Sequence, residues 1–168
     1  MSIALVLELT NSIPINQVLP IVSNALRGIL SLTFTPVVVA EKISSGEAVL
    51  DTDLIEPSSE MIAFKIVNEP EVATTHAYIL DYPEEKTHVA VSLQRWRTPL
   101  ESALVAAVAI AFGEFLKEEI YDSASFYSTV PSKSATELLE RLKLNKNFDD
   151  YRFAAQEFYN SLPKAMAR

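Results

Sequence analysis

The sequence predicts an α+β protein with a mostly antiparallel sheet of about five to six strands covered by helices. Strand-like patterns recur between residues 2 and 95, and three helical patterns follow in residues 98–162. A run of strands followed by a run of helices favours this class over a doubly wound sheet. The 168 residues are close to the usual size of one domain, so we expect a single domain, 1–168, with one hydrophobic core.

The chain opens with a strand and an amphipathic helix. Apolar residues alternate along residues 2–9, which predicts a strand. In residues 15–30 they recur at helical spacing, which predicts a helix that covers the sheet. Pro14 and Pro20 lie near the beginning of this helix, so it either begins late or has a kinked first turn.

The middle of the chain contains the remaining strand signals. Residues 34–42 include a β-branched run, and an early proline confines this strand to an edge or to a strand start. Residues 61–67, 75–82 and 87–95 are separated by turn signals and predict an antiparallel meander. The intervening residues 45–60 predict a loop that has room for one short strand.

The two histidines fall in the last hairpin of this meander. If residues 83–86 form a four-residue turn, Asp81 pairs with His88, and His76 lies opposite Leu93. The two histidines then point to opposite faces of the sheet. We therefore expect structural or solvated histidines rather than one shared catalytic or metal site.

The strongest local signal in the chain opens a long helix at about residues 98–118. Thr98 is the capping residue, Pro99 takes the first helical position, and Glu101 is the capping-box glutamate three residues after the cap. Residues 103–112 are apolar almost all round, so contact with one sheet covers only part of the helix. The candidate covers for its other sides are two shorter helical patterns at residues 134–144 and 148–162.

Composition and charge exclude several functional classes. The chain has no cysteine, which excludes disulfides, cysteine-ligated metals and thiol nucleophiles, and its three glycines provide no phosphate-cradling loop. A net charge of −8 opposes attraction to nucleic acid and anionic lipid, so we expect a basic or neutral partner. No basic residue precedes the first apolar stretch, and the longest uncharged apolar run is about half a membrane span. We expect a cytoplasmic protein without a membrane anchor.

Two acidic residues suggest a cation site only weakly. Asp51 and Asp53 lie on the same side of an extended segment, a geometry that can hold a hard cation. The segment lacks the glycine and the bidentate glutamate of an EF-hand loop. We interpret it as a solvated acidic loop, and the sequence predicts neither a metal site nor a cofactor.

The best candidate recognition patch is the run Arg95, Trp96 and Arg97. It combines two guanidinium groups with the only tryptophan, immediately before the long helix. Arginine and tryptophan are enriched at binding hot spots. The structural alternative is that the tryptophan closes the sheet edge while the arginines pair with local glutamates such as Glu101.

An aromatic-rich segment supplies the other candidate binding residues, Tyr121, Phe126 and Tyr127. Tyr121 and Asp122 can form a catalytic pair, but Tyr-Asp is also ordinary turn chemistry after a helix, and we interpret it as a turn. The rings either cover the back of the long helix or line an interface. With further rings such as Phe153 they exceed the evident needs of the core, which predicts self-association or a protein partner.

The sequence predicts a non-enzymatic binding or interaction protein, because an aromatic surplus appears without paired catalytic groups. Its partner is another protein or a second copy of the chain. The alternative is a small enzyme or metabolite-binding domain with a pocket between the sheet and the long helix, where His88, Asp81, Arg95 or Tyr121 supply polar groups. A purely structural homo-oligomer subunit is a third hypothesis. A deep pocket with convergent polar groups favours the enzyme, and a flat aromatic-rimmed patch favours binding.

Overall fold

The computed structural model describes residues 3–67, 73–80, 86–93, 98–122 and 124–164. Within these residues the chain forms nine strands and four helices. In chain order they are β1 (Ala4–Glu8), β2 (Ile13–Pro14), α1 (Ile15–Leu30), β3 (Val38–Lys42), β4 (Leu54–Ile55), β5 (Ile62–Ile66), β6 (Thr74–Leu80), β7 (His88–Ser92), α2 (Pro99–Leu116), β8 (Ile120–Tyr121), β9 (Ser132–Lys133), α3 (Ala135–Leu142) and α4 (Tyr151–Ser161).

Seven strands form one antiparallel sheet in the order β3-β5-β6-β7-β1-β8-β9, and β2 pairs with β4 separately. This architecture confirms the predicted α+β class. The predicted meander is β5, β6 and β7, and the short strand expected in the loop is β4. The sheet has more strands than expected because β8 and β9 extend it beyond β1. Two-residue strands are too short to show an alternating pattern in the sequence.

The four helices lie on one side of the sheet, in two layers. α1 and α2 pack on each other and contact the strands, and α3 and α4 pack on α1 and α2. The two C-terminal helices therefore cover the back of the long helix, as predicted. Gly113 of α2 permits the closest approach, since a Cβ atom there would lie 3.2 Å from the Ile120 side chain and 3.3 Å from that of Ala135.

α2 is the central element of the core. The hydroxyl of Thr98 caps it by accepting a hydrogen bond from the backbone N–H of Glu101, at 3.1 Å. Every residue from Leu100 to Gly113 is buried. By length and composition alone this helix could cross a membrane, but most of it is buried inside the chain, as in the core helix of a soluble protein.

α1 begins at Ile15, directly after Pro14, which excludes the late start as one of the two alternatives. Pro20 lies inside the helix, where its missing N–H removes one backbone hydrogen bond, that to the carbonyl of Asn16. The helix tolerates this loss because its apolar face is buried from Ile15 to Leu30. Packing on α2 and β3 therefore outweighs the local cost of the proline.

The hairpin of β6 and β7 differs by one residue from the predicted register. His88 pairs with Leu80 and His76 pairs with Ser92, whereas the prediction pairs His88 with Asp81, which itself lies outside the described residues. The prediction is wrong because it assumes a four-residue turn. A shift of one residue turns every side chain of one strand to the other face. Both histidines consequently point to the same face of the sheet.

The chain itself closes the β3 edge of the sheet. After β3, residues 43–49 turn back along the strand. The backbone N–H of Lys42 donates to the carbonyl of Glu47 at 2.8 Å, and the N–H of Val49 donates to the carbonyl of Ala40 at 3.2 Å. These bonds occupy backbone groups that an added strand would need.

We expect the substitution Val108→Asp to abolish cooperative folding. Val108 lies at the buried centre of α2, and a buried charge without a partner costs several kcal/mol, comparable to the whole stability of a domain, about 5–15 kcal/mol. Circular dichroism during urea titration measures the effect. The control Leu50→Asp, at a side chain that is 63% exposed, should keep the wild-type midpoint. A folded Val108→Asp variant of unchanged midpoint would contradict the central position of α2.

Candidate functional site

One face of the seven-stranded sheet carries no helix within the described residues. Alternate side chains of each strand point toward α1 and α2, and the others point away from all four helices. We call the second set the outer face. In the longer strands its members are Ala4, Val6, Glu8, Val39, Glu41, Ala63, Lys65, Thr74, His76, Tyr78, Leu80, His88, Ala90 and Ser92.

An apolar row crosses the outer face at right angles to the strands. Four of its members are direct cross-strand neighbours. The other two lie one residue beyond β3 and β5, where the backbone N–H of Ile43 donates to the carbonyl of Met61 at 3.4 Å. Neighbouring strands are about 4.8 Å apart, so a row that spans six strands is about 24 Å long. In order across the sheet, the apolar row consists of Ile43, Met61, Tyr78, Ala90, Val6 and Tyr121.

The two ends of the apolar row are open to solvent. Ile43 and Met61 are 41% and 38% exposed at one end, and Tyr121 is 49% exposed at the other. Val6 is half-buried between them. The solvated face of an antiparallel sheet usually carries polar side chains at such positions. Between the two ends, Tyr78 is half-buried and Ala90 is fully buried, so the apolar area open to a partner lies at the ends.

An open cavity of about 460 Å³ lies at the Tyr121 end of the apolar row. β1, β7 and β8 contribute four of its lining residues, and the turn between α2 and β8 contributes two. That turn starts at Lys117, whose left-handed backbone (φ 59°) ends α2. We call this the acidic cavity, and it is lined by Val6, Glu8, His88, Glu118, Glu119 and Tyr121.

Carboxylates dominate the electrostatics of the acidic cavity. The Nζ atom of Lys86 lies 3.3 Å from the carboxylate of Glu8, and the hydroxyl of Ser132 donates to the carboxylate of Glu119 at 2.6 Å. In the part of the chain that the structure describes, Glu118 forms no ion pair. Three carboxylates against one ammonium group leave a net negative charge, which favours a cation.

The lining of the acidic cavity includes an imidazole and a phenol beside its carboxylates, and the hydroxyl of Ser132 lies within hydrogen-bond distance of Glu119. Across the described ranges, no group of three or more His, Asp and Glu side chains is placed to hold a metal ion. The cavity combines negative charge with an exposed aromatic ring.

The acidic cavity contains two of the four residues considered for an enzymatic pocket. His88 and Tyr121 both line it. It opens on the outer face, however, and not between the sheet and the long helix. The other two residues, Asp81 and Arg95, lie outside the described residues.

The structure separates the predicted binding residues. The patch at residues 95–97 lies outside the described residues, and Tyr121 lies on the outer face. Phe126 and Tyr127 are buried, and the hydroxyl of Tyr127 donates to the carbonyl of Ser102 in α2 at 2.9 Å. The ring of Phe126 contacts those of Tyr127 and Tyr159, so both predicted residues belong to the core. The aromatic surplus behind the expected self-association is therefore smaller than a count of rings indicates, and self-association stays a prediction.

Asp122 holds this segment over α2. Its carboxylate is buried and accepts hydrogen bonds from the backbone N–H groups of Phe126, Tyr127 and Ser128, at 3.3, 2.7 and 3.2 Å. Its own N–H donates to the carbonyl of Pro131 at 2.6 Å. One side chain thus organises residues 126–128 of the connection between β8 and β9.

The two aspartates of the acidic loop are engaged by neighbouring groups. The side-chain amide of Asn16 donates to Asp51 at 2.6 Å. Asp53 accepts the N–H of Leu50 at 2.5 Å and lies 3.5 Å from the Nζ atom of Lys42. These contacts tie the loop to α1 and β3.

Comparisons of the chain with protein-family models, with curated proteins and with solved structures gave no match. The α+β class by itself is compatible with many functions. The functional argument therefore rests on the outer face, the apolar row and the acidic cavity.

We expect Asp122→Ala to lower the free energy of unfolding by about 3 kcal/mol, because it leaves three backbone N–H groups without their charged acceptor. Asp122→Asn should cost less, since one side-chain oxygen can still accept. Urea titration followed by tyrosine fluorescence measures both variants. The exposed Asp149→Ala serves as the control and should stay within about 0.5 kcal/mol of wild type. Equal stabilities of the two alanine variants would refute the role of Asp122.

His76 should make the chain less stable in mild acid. Burial lowers the pKa of His76 from 6.5, and repulsion by Lys65 lowers it further. The folded chain then binds the proton more weakly than the unfolded chain. The stability that the neutral ring contributes to the folded chain is fully present above pH 6.5, and it is lost as the pH falls through the lowered pKa.

The free energy of unfolding of wild type should therefore drop more than that of His76→Gln between about pH 7 and pH 5. Urea titrations at both pH values measure the difference. Lys65→Met should raise the pKa of His76, as measured from the imidazole proton shifts. Parallel pH profiles for wild type and His76→Gln would rule out this titration.

Proposed function

We propose that this chain is a non-enzymatic, cytoplasmic binding protein that recognises another protein through the outer face of its sheet. The observation that carries the proposal is the apolar row on a face that no described helix covers. The acidic cavity at one end of the row adds polar groups that would orient the partner.

Hydrophobic burial supplies the affinity in this proposal. The two ends of the apolar row lose contact with water only when something packs on them, and full burial of such a side chain contributes about 1.5–3 kcal/mol. Polar and small or apolar residues alternate beside the row. Glu41, Ala63, His76, Ser92 and Ala4 follow one side of it, and Leu80, His88 and Glu8 follow the other. An apolar centre with a polar rim is the usual anatomy of a protein interface.

The sheet presents this face in a fixed shape. α2 supports β1, β6 and β7 from the opposite side, so the outer face keeps its form before a partner arrives. A preformed surface loses little conformational entropy on binding. Because the β3 edge is closed by residues 43–49, the partner would lie on the face and not add a strand to this edge.

The test is capture of a partner followed by binding with purified components. Wild type serves as bait in a native lysate, and each captured protein is then produced pure and titrated by calorimetry. We expect the double variant Met61→Ser, Tyr121→Ser to weaken binding at least about tenfold, because both ends of the apolar row lose their side chains.

Phe153→Ser is the matched control for this experiment. Phe153 is 67% exposed but lies on α4, on the other side of the molecule. Its loss should change the affinity by less than about twofold. The proposal fails if no purified candidate binds, or if the affinity is insensitive to the Met61 and Tyr121 pair.

A further inference from the structure

We infer that the partner is a basic protein that covers the apolar row and places one lysine or arginine side chain in the acidic cavity. This inference rests on the proposed function and adds the chemistry of the partner to it. It is carried by the position of the acidic cavity, by the pairing of the charges around it and by the ring that lines it.

The apolar row and the acidic cavity form one continuous surface. Val6 and Tyr121 belong to both, and Val6 pairs with Tyr121 across β1 and β8. A partner that packs on the row at this end therefore reaches the mouth of the cavity. The cavity is open to solvent, and its volume of about 460 Å³ leaves room for one side chain.

The charges around the acidic cavity complement a cation. Lys86 offsets the charge of Glu8, whereas Glu118 has no ion pair within the described residues and the partner of Glu119 is the neutral hydroxyl of Ser132. The whole chain carries −8, so its long-range field attracts a basic protein as well.

Tyr121 adds a second means of recognising a cation. Its ring is half-exposed at the rim of the acidic cavity, beside the carboxylates. Ammonium and guanidinium groups bind the faces of aromatic rings through cation–π attraction. A guanidinium group can also form two parallel hydrogen bonds with one carboxylate, which makes arginine the best-matched side chain.

A second copy of the chain fits this surface less well. Two chains of −8 repel each other. On the outer face Lys65 pairs with Glu41, and at its rim Lys86 pairs with Glu8, while the exposed Lys117 begins the turn that lines the cavity. Lys65 and Lys86 would have to leave their ion pairs to enter the acidic cavity of a second copy.

The probe for the cavity is N-acetyl-arginine amide, titrated into ¹³C,¹⁵N-labelled protein at constant pH and ionic strength. We expect saturable shifts of the His88 and Tyr121 ring signals with a millimolar Kd. The neutral isostere N-acetyl-citrulline amide should bind at least about tenfold more weakly, because it has the same shape without the charge.

Two double variants with the same change in net charge make the test specific. Glu118→Gln with Glu119→Gln should weaken arginine binding at least about tenfold, whereas Glu140→Gln with Asp149→Asn, at exposed positions elsewhere, should not. The inference is overturned if about 0.1 M arginine amide gives no saturable shift, if citrulline binds equally well, or if both double variants behave alike.

Binding of the partner protein and binding of the arginine amide are measured separately. Met61→Ser should leave arginine binding unchanged while it weakens the partner, so the proposed function can fail or hold independently of the cavity. Sedimentation velocity of wild type provides the remaining check. A dimer that dissociates in the Met61→Ser, Tyr121→Ser variant would place a second copy on the outer face and overturn the basic partner.

Discussion

The burial of α2 on every side is the constraint on which the rest of the structure depends. A helix that is buried from Leu100 to Gly113 cannot be covered by a sheet alone. α1 lies beside it, α3 and α4 close its back, and the segment held by Asp122 adds two aromatic rings. All the described helices are thereby committed to one side of the sheet. No described helix covers the outer face, because the core requires all four on the other side of the sheet.

The elements with local signals could be predicted from the sequence, and the candidate site could not. The cap at Thr98 and the all-round apolar pattern that follows it lie within one stretch of chain, so the pattern predicts both α2 and its need for further cover. The apolar row has no such signature, because its members come from four strands and from the ends of two more, and they meet only when the sheet forms. The hairpin of β6 and β7 shows how a change of one residue in an assumed turn reverses the face of His76.

The outcome for the aromatic candidates has a similar physical reason. Tyr121 and Phe126 belong to one aromatic-rich segment, yet one lies on the outer face and the other in the core. The difference comes from Asp122, whose carboxylate binds three successive backbone N–H groups and folds the following residues inward. A single aspartate after a helix does not reveal how many backbone groups it will bind. The acidic cavity could not be predicted, because Glu118 and Glu119 have the sequence pattern of ordinary solvated charges. They lie beside His88 only in the folded sheet, where β8 pairs with β1.

The closed edge of the sheet has a consequence for the chain before any partner is present. Exposed apolar side chains on a sheet invite aggregation, and the most damaging route is the addition of strands from one molecule to the next. Residues 43–49 occupy the backbone at the β3 end, and β9 offers only two residues at the other. A strand added from another molecule could therefore form few backbone hydrogen bonds at either edge of the sheet. Both edges offer a neighbouring molecule little unpaired backbone, although the face between them carries exposed apolar side chains.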